Sequence, residues 1–198
     1  QIMAAIISWE QFLTCKIDTR GIQFKFEDLC RQLFVNEFLA ENKKQCHLHC
    51  NPNNPGLEAE PIYDEKNERW IGYQAKFFEK NTDYSQIMDS VENIVKYYTG
   101  KVEHVYLFCN KALTTNCDSY INIVKKLEEV GITLEPITDV TILDMVRKYS
   151  YLGLYYFDQN FLNIKWLENH TQEVLSKLGE RYNDEFNIDT RASLYLSL

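Results

Sequence analysis

At 198 residues, with 45% hydrophobic and 25% charged residues, the chain is long enough for one sizeable core and has a globular rather than disordered or fibrous composition. Its formal net charge of −8 excludes a broad nucleic-acid-binding surface, because phosphate contacts need Lys and Arg and a net negative field repels a polyanion. Any work on nucleic acid then rests on local basic residues, a bound metal or a larger assembly.

The opening QIMAAIISWEQF lacks the basic segment of a signal peptide, and QI before Met3 reads as a cloning remnant. No apolar run approaches the roughly 20 residues that a membrane span needs, so the expectation is a cytoplasmic protein without membrane contact. The first strong periodicity is IQFKFEDLCRQLFVNEFLAEN. Phe26, Leu29, Cys30, Leu33, Phe34 and Phe38 recur there at three- and four-residue steps, which predicts an amphipathic helix.

CHLHC then predicts a short strand closed by the turn signal NPNNPG. Alternation would put Cys46, Leu48 and Cys50 on one face and His47 and His49 on the other. With no paired C-x₂-C to follow, buried cysteines fit better than a zinc site. The six cysteines, Cys15, Cys30, Cys46, Cys50, Cys109 and Cys117, are expected reduced and mostly buried.

LEAEPIYDEKNERWIGYQAKFF predicts two strands joined by the polar loop DEKNER, a hairpin. A helix over SQIMDSVENIVKYYTGKV follows, with Ile87, Val91, Ile94, Val95 and Tyr98 on its stripe and Gly100 as its stop. HVYLFCN reads as a central strand, DSYINIVKKLEEVGITLEPIT as a helix, a Gly131 stop and another strand, and TILDMVRKY as a closing helix. The sum is an α/β fold with helices flanking a mixed central sheet over residues 1–157. Residues 158–198 read as a helical linker into a following domain.

Chemistry concentrates on the hairpin. On a strand Gln74 and Lys76 share one face while Tyr73, Ala75 and Phe77 share the other, and Glu58 and Glu60 repeat the two-residue spacing on the preceding strand. Antiparallel pairing would gather two acids, an amide oxygen and an ammonium. Glu58 and the Gln74 oxygen suit Mg²⁺, a hard cation that needs one or two protein carboxylates, and Lys76 would sit near the charge developing on phosphorus. Glu27, beside buried Phe26, is a further candidate ligand. The bland alternatives are a solvated strand face for Gln74 and Lys76, an acidic hairpin edge for Glu58 and Glu60, and an ordinary exposed helix position for Glu27. Lys43, Lys44, Lys66, Arg69 and Lys80 are candidate phosphate contacts, and no Gly-rich phosphate loop is present.

The order of Glu27 on an opening helix, Glu58 after a turn and Gln74-Ala75-Lys76 on the next strand resembles the PD-(D/E)xK nuclease fold in its Mrr-like, restriction-endonuclease-like variety, over roughly residues 20–145. PGLEAEP, GYQAKFF and LGERYNDEFNID are similar to the N-terminal nuclease region of bacterial antiphage proteins of the AVAST group. The resemblance implies an αβββαβ core and Mg²⁺-dependent endonuclease activity on double-stranded DNA, with Mn²⁺ as a substitute. It implies catalytic roles for Glu58, Gln74, Lys76, Glu27 and Glu60, with Glu58, Gln74 and Glu27 on the metal. It further implies a bacterial cytoplasmic setting, a STAND NTPase domain after residue 198, self-association into an oligomer, expected to be a tetramer, and a phage protein as indirect trigger. Glu58 stands where aspartate is commoner and Gln74 where an acid is commoner. An RNA-cleaving site and a non-catalytic module that binds DNA or protein on the same fold remain open alternatives.

Overall fold

A computed structural model describes residues 7–16, 20–42, 48, 54–158, 171, 172 and 175. The chain divides into two compact units, Gln1–Asn160 and Phe161–Leu198. The elements described below belong to the first. The strand expected over 46–50, with Cys46, His47, His49 and Cys50, lies outside the described residues, Leu48 aside, as do Lys43 and Lys44.

Two short helical segments open the unit, α1 (Trp9–Thr14) and α2 (Ile22–Phe34), the latter continuing into a π-helical turn at Val35–Leu39. The hairpin follows as β1 (Ile62–Asp64) and β2 (Arg69–Lys76), then α3 (Tyr84–Tyr98), β3 (His104–Cys109), α4 (Asp118–Glu128), β4 (Thr133–Thr138), α5 (Asp139–Lys148) and α6 (Ser150–Phe157). The strands form one mixed sheet in the order β1-β2-β3-β4, antiparallel between β1 and β2 and parallel thereafter. The α/β class and the flanking helices are as the periodicities predict. Of the three consecutive strands expected before α3, the last two are β1 and β2, and the first, over 46–50, lies outside the described residues; α3 and α4 are the crossovers that the two parallel pairs need.

Parallel register places Tyr73 beside Tyr106 and Gln74 beside Leu107, so odd residues of β2 share a face with even residues of β3. That face packs on α2. Tyr73 stacks on Phe34 at 4.6 Å, and Phe77 meets Phe26 at 5.4 Å. The opposite face, with Val105, Leu107 and Cys109, joins Ile87, Val91 and Ile94 of α3 and Ile123 and Leu127 of α4 in the second core layer. Burying each such side chain stabilises the fold by about 1.5–3 kcal/mol, so these two layers dominate its stability. The π turn retunes the end of α2: Phe38 is only half-buried and stacks on Tyr106 at 3.9 Å, while Leu39 takes the buried position.

α1 has no apolar stripe long enough to declare itself. It is started by a capping box, Ser8 with Gln11, and held by Trp9 and Phe12 against Phe26, Phe77 and Phe157. Lys25 is buried at 2% exposure, its ammonium donating to the carbonyls of Phe12 and Cys15 and lying 4.5 Å over the Phe12 ring. That burial ties the C-terminal end of α1 to α2. The four described cysteines are free, with Cys15, Cys30 and Cys109 buried and Cys117 partly so.

Both sheet edges are blunted against strand addition. Asn42 covers β1, donating to Tyr63 O at 3.1 Å and accepting from Glu65 N at 3.2 Å. On β4, Thr133 N points inward to Glu103 O, so alternation turns Pro136, which has no N–H, to the open side.

Candidate functional site

The first strand of the hairpin is shorter than its alternation predicts, and the shortening builds the site. Pro61 cannot donate to a ladder, and Leu57–Ala59 run as an irregular arch beside β2 rather than as a strand. The arch copies one rung of pairing, Glu58 N donating to Tyr73 O at 3.0 Å. The Glu58 carboxylate then takes the place of the next rung, its Oε1 accepting from Ala75 N at 3.1 Å and from Gln74 Nε2 at 2.5 Å.

Two glycines let the arch lie this close. A Cβ on Gly72 would meet the Leu57 side chain at 2.9 Å. One on Gly56, whose φ is +85°, would meet Ser90 O at 2.7 Å and Ile94 N at 2.8 Å, both backbone atoms of α3. The arch is thereby wedged between β2 and α3.

Glu27, Glu58, Gln74 and Lys76 line one open cleft of about 380 Å³, together with Gln23 of α2, Asn54, and Asp89 and Asn93 of α3. Gln23 Nε2, one helical turn before Glu27, donates to Glu27 Oε1 at 3.0 Å and orients it. Gln74 is 7% exposed, and its amide nitrogen is held by Glu58 and by Ala75 O at 3.1 Å, so the lone pairs of that amide reside on Oε1. Burial, and secondarily the charge of Glu27, push the Glu58 carboxyl up to about 7, against the opposing pull of Ala75 N–H and Lys76. A carboxylate held so, next to a second one, is an electrostatic arrangement that a cation relieves.

Neither a protein-family model nor a curated protein sequence matches the chain.

Among the residues expected at the site, Glu27, Glu58, Gln74 and Lys76 come together, and Glu60 does not. Glu60 is exposed past the arch on the Tyr98 side, where its charge adds to burial in raising the Tyr98 hydroxyl. Lys66 pairs with Glu41 at 2.9 Å, and Arg69 turns to the other sheet face, donating to Tyr106 Oη at 3.1 Å. Lys80 is exposed and does not line the cleft. Cys30 lies near Glu27 and Glu58 but is fully buried, and burial together with the Glu58 charge raises its thiol well above the ordinary range, which leaves it an inert core residue.

Gln23, Asn54, Asp89 and Asn93 had no signal in the sequence, since each looks like ordinary surface until α3 and the arch meet. The donor set fits a hard cation. Among the described residues no three His, Cys, Asp or Glu side chains converge as ligands; of the three carboxylates that line the cleft, Glu27 and Glu58 act on each other and Glu58 is bonded to Gln74, while Asp89 belongs to α3. That suits Mg²⁺, which keeps several waters, and does not suit a tetrahedral Zn²⁺ site.

Proposed function

We propose that the chain is a metal-dependent endonuclease domain that hydrolyses phosphodiester bonds of DNA, double-stranded DNA being the substrate the sequence points to. One observation carries the reading: Glu27, Glu58, Gln74 and Lys76, from a helix, an arch and a strand, converge on one cleft with Glu58 bonded to Gln74 and to the strand backbone. A divalent cation, held by Glu58, Glu27 and Gln74 Oε1, would polarise a phosphoryl oxygen and lower the charge on the attacked phosphate.

The protein's own groups supply the rest. Gln74 and Ala75 N–H fix the Glu58 carboxylate, and Gln23 fixes Glu27, so both acids are ordered before substrate arrives. Lys76, at the last position of β2, offsets the charge that develops on phosphorus. An acidic chain presenting one cation per cleft binds DNA weakly alone. Several copies in an oligomer, expected to be a tetramer, would gain by multivalency. The wider setting the sequence suggests, an antiphage effector ahead of a STAND NTPase in the bacterial cytoplasm and triggered by a phage protein, belongs to this proposal.

The test is plasmid cleavage by the assembled full-length protein in Mg²⁺ or Mn²⁺. Loss of cutting in Glu58→Ala and Lys76→Ala supports the reading, and undiminished cutting in both removes it. One feature favours a second reading, a non-catalytic module that binds DNA or protein: Lys76 is the sole cation among the described residues lining the cleft. Calorimetry separates the two, since a non-catalytic module has no Mg²⁺ or Mn²⁺ affinity that depends on Glu58.

A further inference from the structure

The wall of the cleft contributed by α3 and the arch is chemically unlike the wall that bears Glu58, Gln74 and Lys76. Asp89 and Asn93 are four residues apart on α3 and so share one helix face. Asn54 lies two residues before Gly56, whose backbone closely approaches Ser90 and Ile94 of that helix. All three residues line the cleft.

The Asn54 amide nitrogen is buried and has no hydrogen-bond partner among the described residues. A buried donor left unmade costs free energy comparable to a lost hydrogen bond, about 1–3 kcal/mol, so its position calls for an acceptor that arrives from outside. That acceptor is poorly matched by phosphate. Among the described residues the wall has no Lys or Arg, and the Asp89 carboxylate repels an anion. Carboxamides beside a carboxylate suit instead the neutral edge of a nucleobase, where Asn pairs with adenine and an acidic side chain accepts from an exocyclic amine. A base can enter a concave cleft only when it is unstacked and unpaired.

We propose that Asn54, Asp89 and Asn93 form a base-reading subsite for one unpaired nucleotide beside the scissile phosphate, selecting adenine and cytosine, whose exocyclic amine adjoins an unprotonated ring nitrogen, over thymine. This rests on the nucleolytic reading of the same cleft and narrows its substrate to a locally opened strand. Asn54 Nδ2 donates to a ring nitrogen or carbonyl of the base, and Asp89 accepts from the amine. Thymine presents a single imide N–H flanked by two carbonyls, which set their negative ends against Asp89.

Binding tests this without requiring hydrolysis. Fluorescence anisotropy on the full chain compares fluorescent single strands of deoxyadenylate, deoxycytidylate and thymidylate, each about twelve nucleotides long, in Ca²⁺ and again in EDTA, alongside a mixed-sequence duplex. The expected result is about tenfold tighter binding of the adenine and cytosine strands than of the thymine strand, and weaker binding of the duplex. Asp89→Asn, on the exposed face of α3, and Asn54→Ala each reduce the preference to less than about twofold, with melting temperatures measured to verify folding.

Equal affinity for the three strands, a preference that survives both variants, tighter binding of the duplex, or no binding in either buffer overturns the proposal. A base preference found together with undiminished plasmid cutting by Glu58→Ala and Lys76→Ala would sink the nuclease assignment while leaving the subsite standing. Cleavage without any base preference does the reverse.

Discussion

β2 carries a polar cluster on each of its faces, and the two are built on opposite terms. On the α2 face Arg69, His104, Tyr106 and Glu135 form a chain across three strands. Arg69 Nη1 donates to His104 Nδ1 at 3.0 Å, and His104 Nε2–H donates to Glu135 Oε2 at 2.9 Å. An arginine can only donate and a carboxylate accepts, so the partners fix His104 as the neutral Nε2–H tautomer. In the cleft, Glu58 and Glu27 repel each other, the Glu58 carboxyl is raised to about 7, and Asn54 keeps an unused donor. Apart from Arg69 Nε, which like Asn54 Nδ2 is buried without a partner among the described residues, the groups on the α2 face satisfy one another and hold the fold together, whereas the like charges in the cleft mark a place where something else is meant to bind.

The largest effect that would break this contrast is catalytic. Glu58→Ala or Lys76→Ala is expected to slow plasmid cleavage about a thousandfold, on the order of 4 kcal/mol in the barrier, while either protein stays folded. Cleavage within tenfold of the parent in both would place Glu58 and Lys76 with the structural cluster.

Next in size is the response of stability to pH, where the two clusters have opposite signs. Glu58 is raised in the folded state, so the native protein holds the extra proton between about 4.5 and 7. The stability this brings is complete below pH 4.5 and is lost as pH rises through 7. The loss is about 3 kcal/mol in the absence of divalent cations, and Glu58→Gln abolishes it. His104 is lowered, first by burial and then by Arg69, so the unfolded chain takes up the proton first and stability falls as pH drops below about 6.5. Denaturant melts in EDTA from pH 4 to 9 read both. A Glu58→Gln profile that overlays the parent would refute the Glu58 half, and stability that rises as pH drops below 6.5 in Glu58→Gln would refute the His104 half.

A smaller effect, about 2 kcal/mol, is expected for Arg69→Ala, which leaves His104 and Tyr106 without their shared donor. Chemical denaturation should show it, with cleavage per folded molecule unchanged. A loss of cleavage beyond the loss of folded protein would mean that the two faces are coupled through β2.

Much of this arrangement could be read from residues alone, and the limits have physical causes. Period-2 alternation put Gln74 and Lys76 on one face and Tyr73 and Phe77 on the other, and the register with β3 agrees. Stripe periodicity found α2, α3 and α4, the last two with their stops at Gly100 and Gly131, because burial of one helix face constrains residue type. Alternation could not foresee that Pro61 and Gly56 would turn half of a strand into an arch, which is why Glu58 entered the cleft and Glu60, at the same spacing, did not. Asp89 and Asn93 stayed invisible because only tertiary packing separates a solvated helix face from the wall of a cleft. The buried Lys25 and His104 were unreadable for a similar reason: their partners are backbone carbonyls and residues distant in sequence.

The smallest effect sharpens the contrast most, because it links charge directly to ligand. If Glu27 and Glu58 are raised in energy by each other and a cation relieves them, Mg²⁺ must stabilise the native chain. At ten times its dissociation constant it should add about 1.4 kcal/mol, a melting shift of roughly 3–6 °C for a unit of this size. The shift should grow from pH 6 to pH 8, since the cation competes with the proton that Glu58 holds up to about 7. Glu58→Gln should remove both the shift and its pH dependence, and Arg69→Ala should keep both. Scanning calorimetry at the two pH values decides it. A Mg²⁺ shift in the parent that persists in Glu58→Gln would mean that the cation binds elsewhere on an acidic surface, and the strain in the cleft would then need another ligand to explain it.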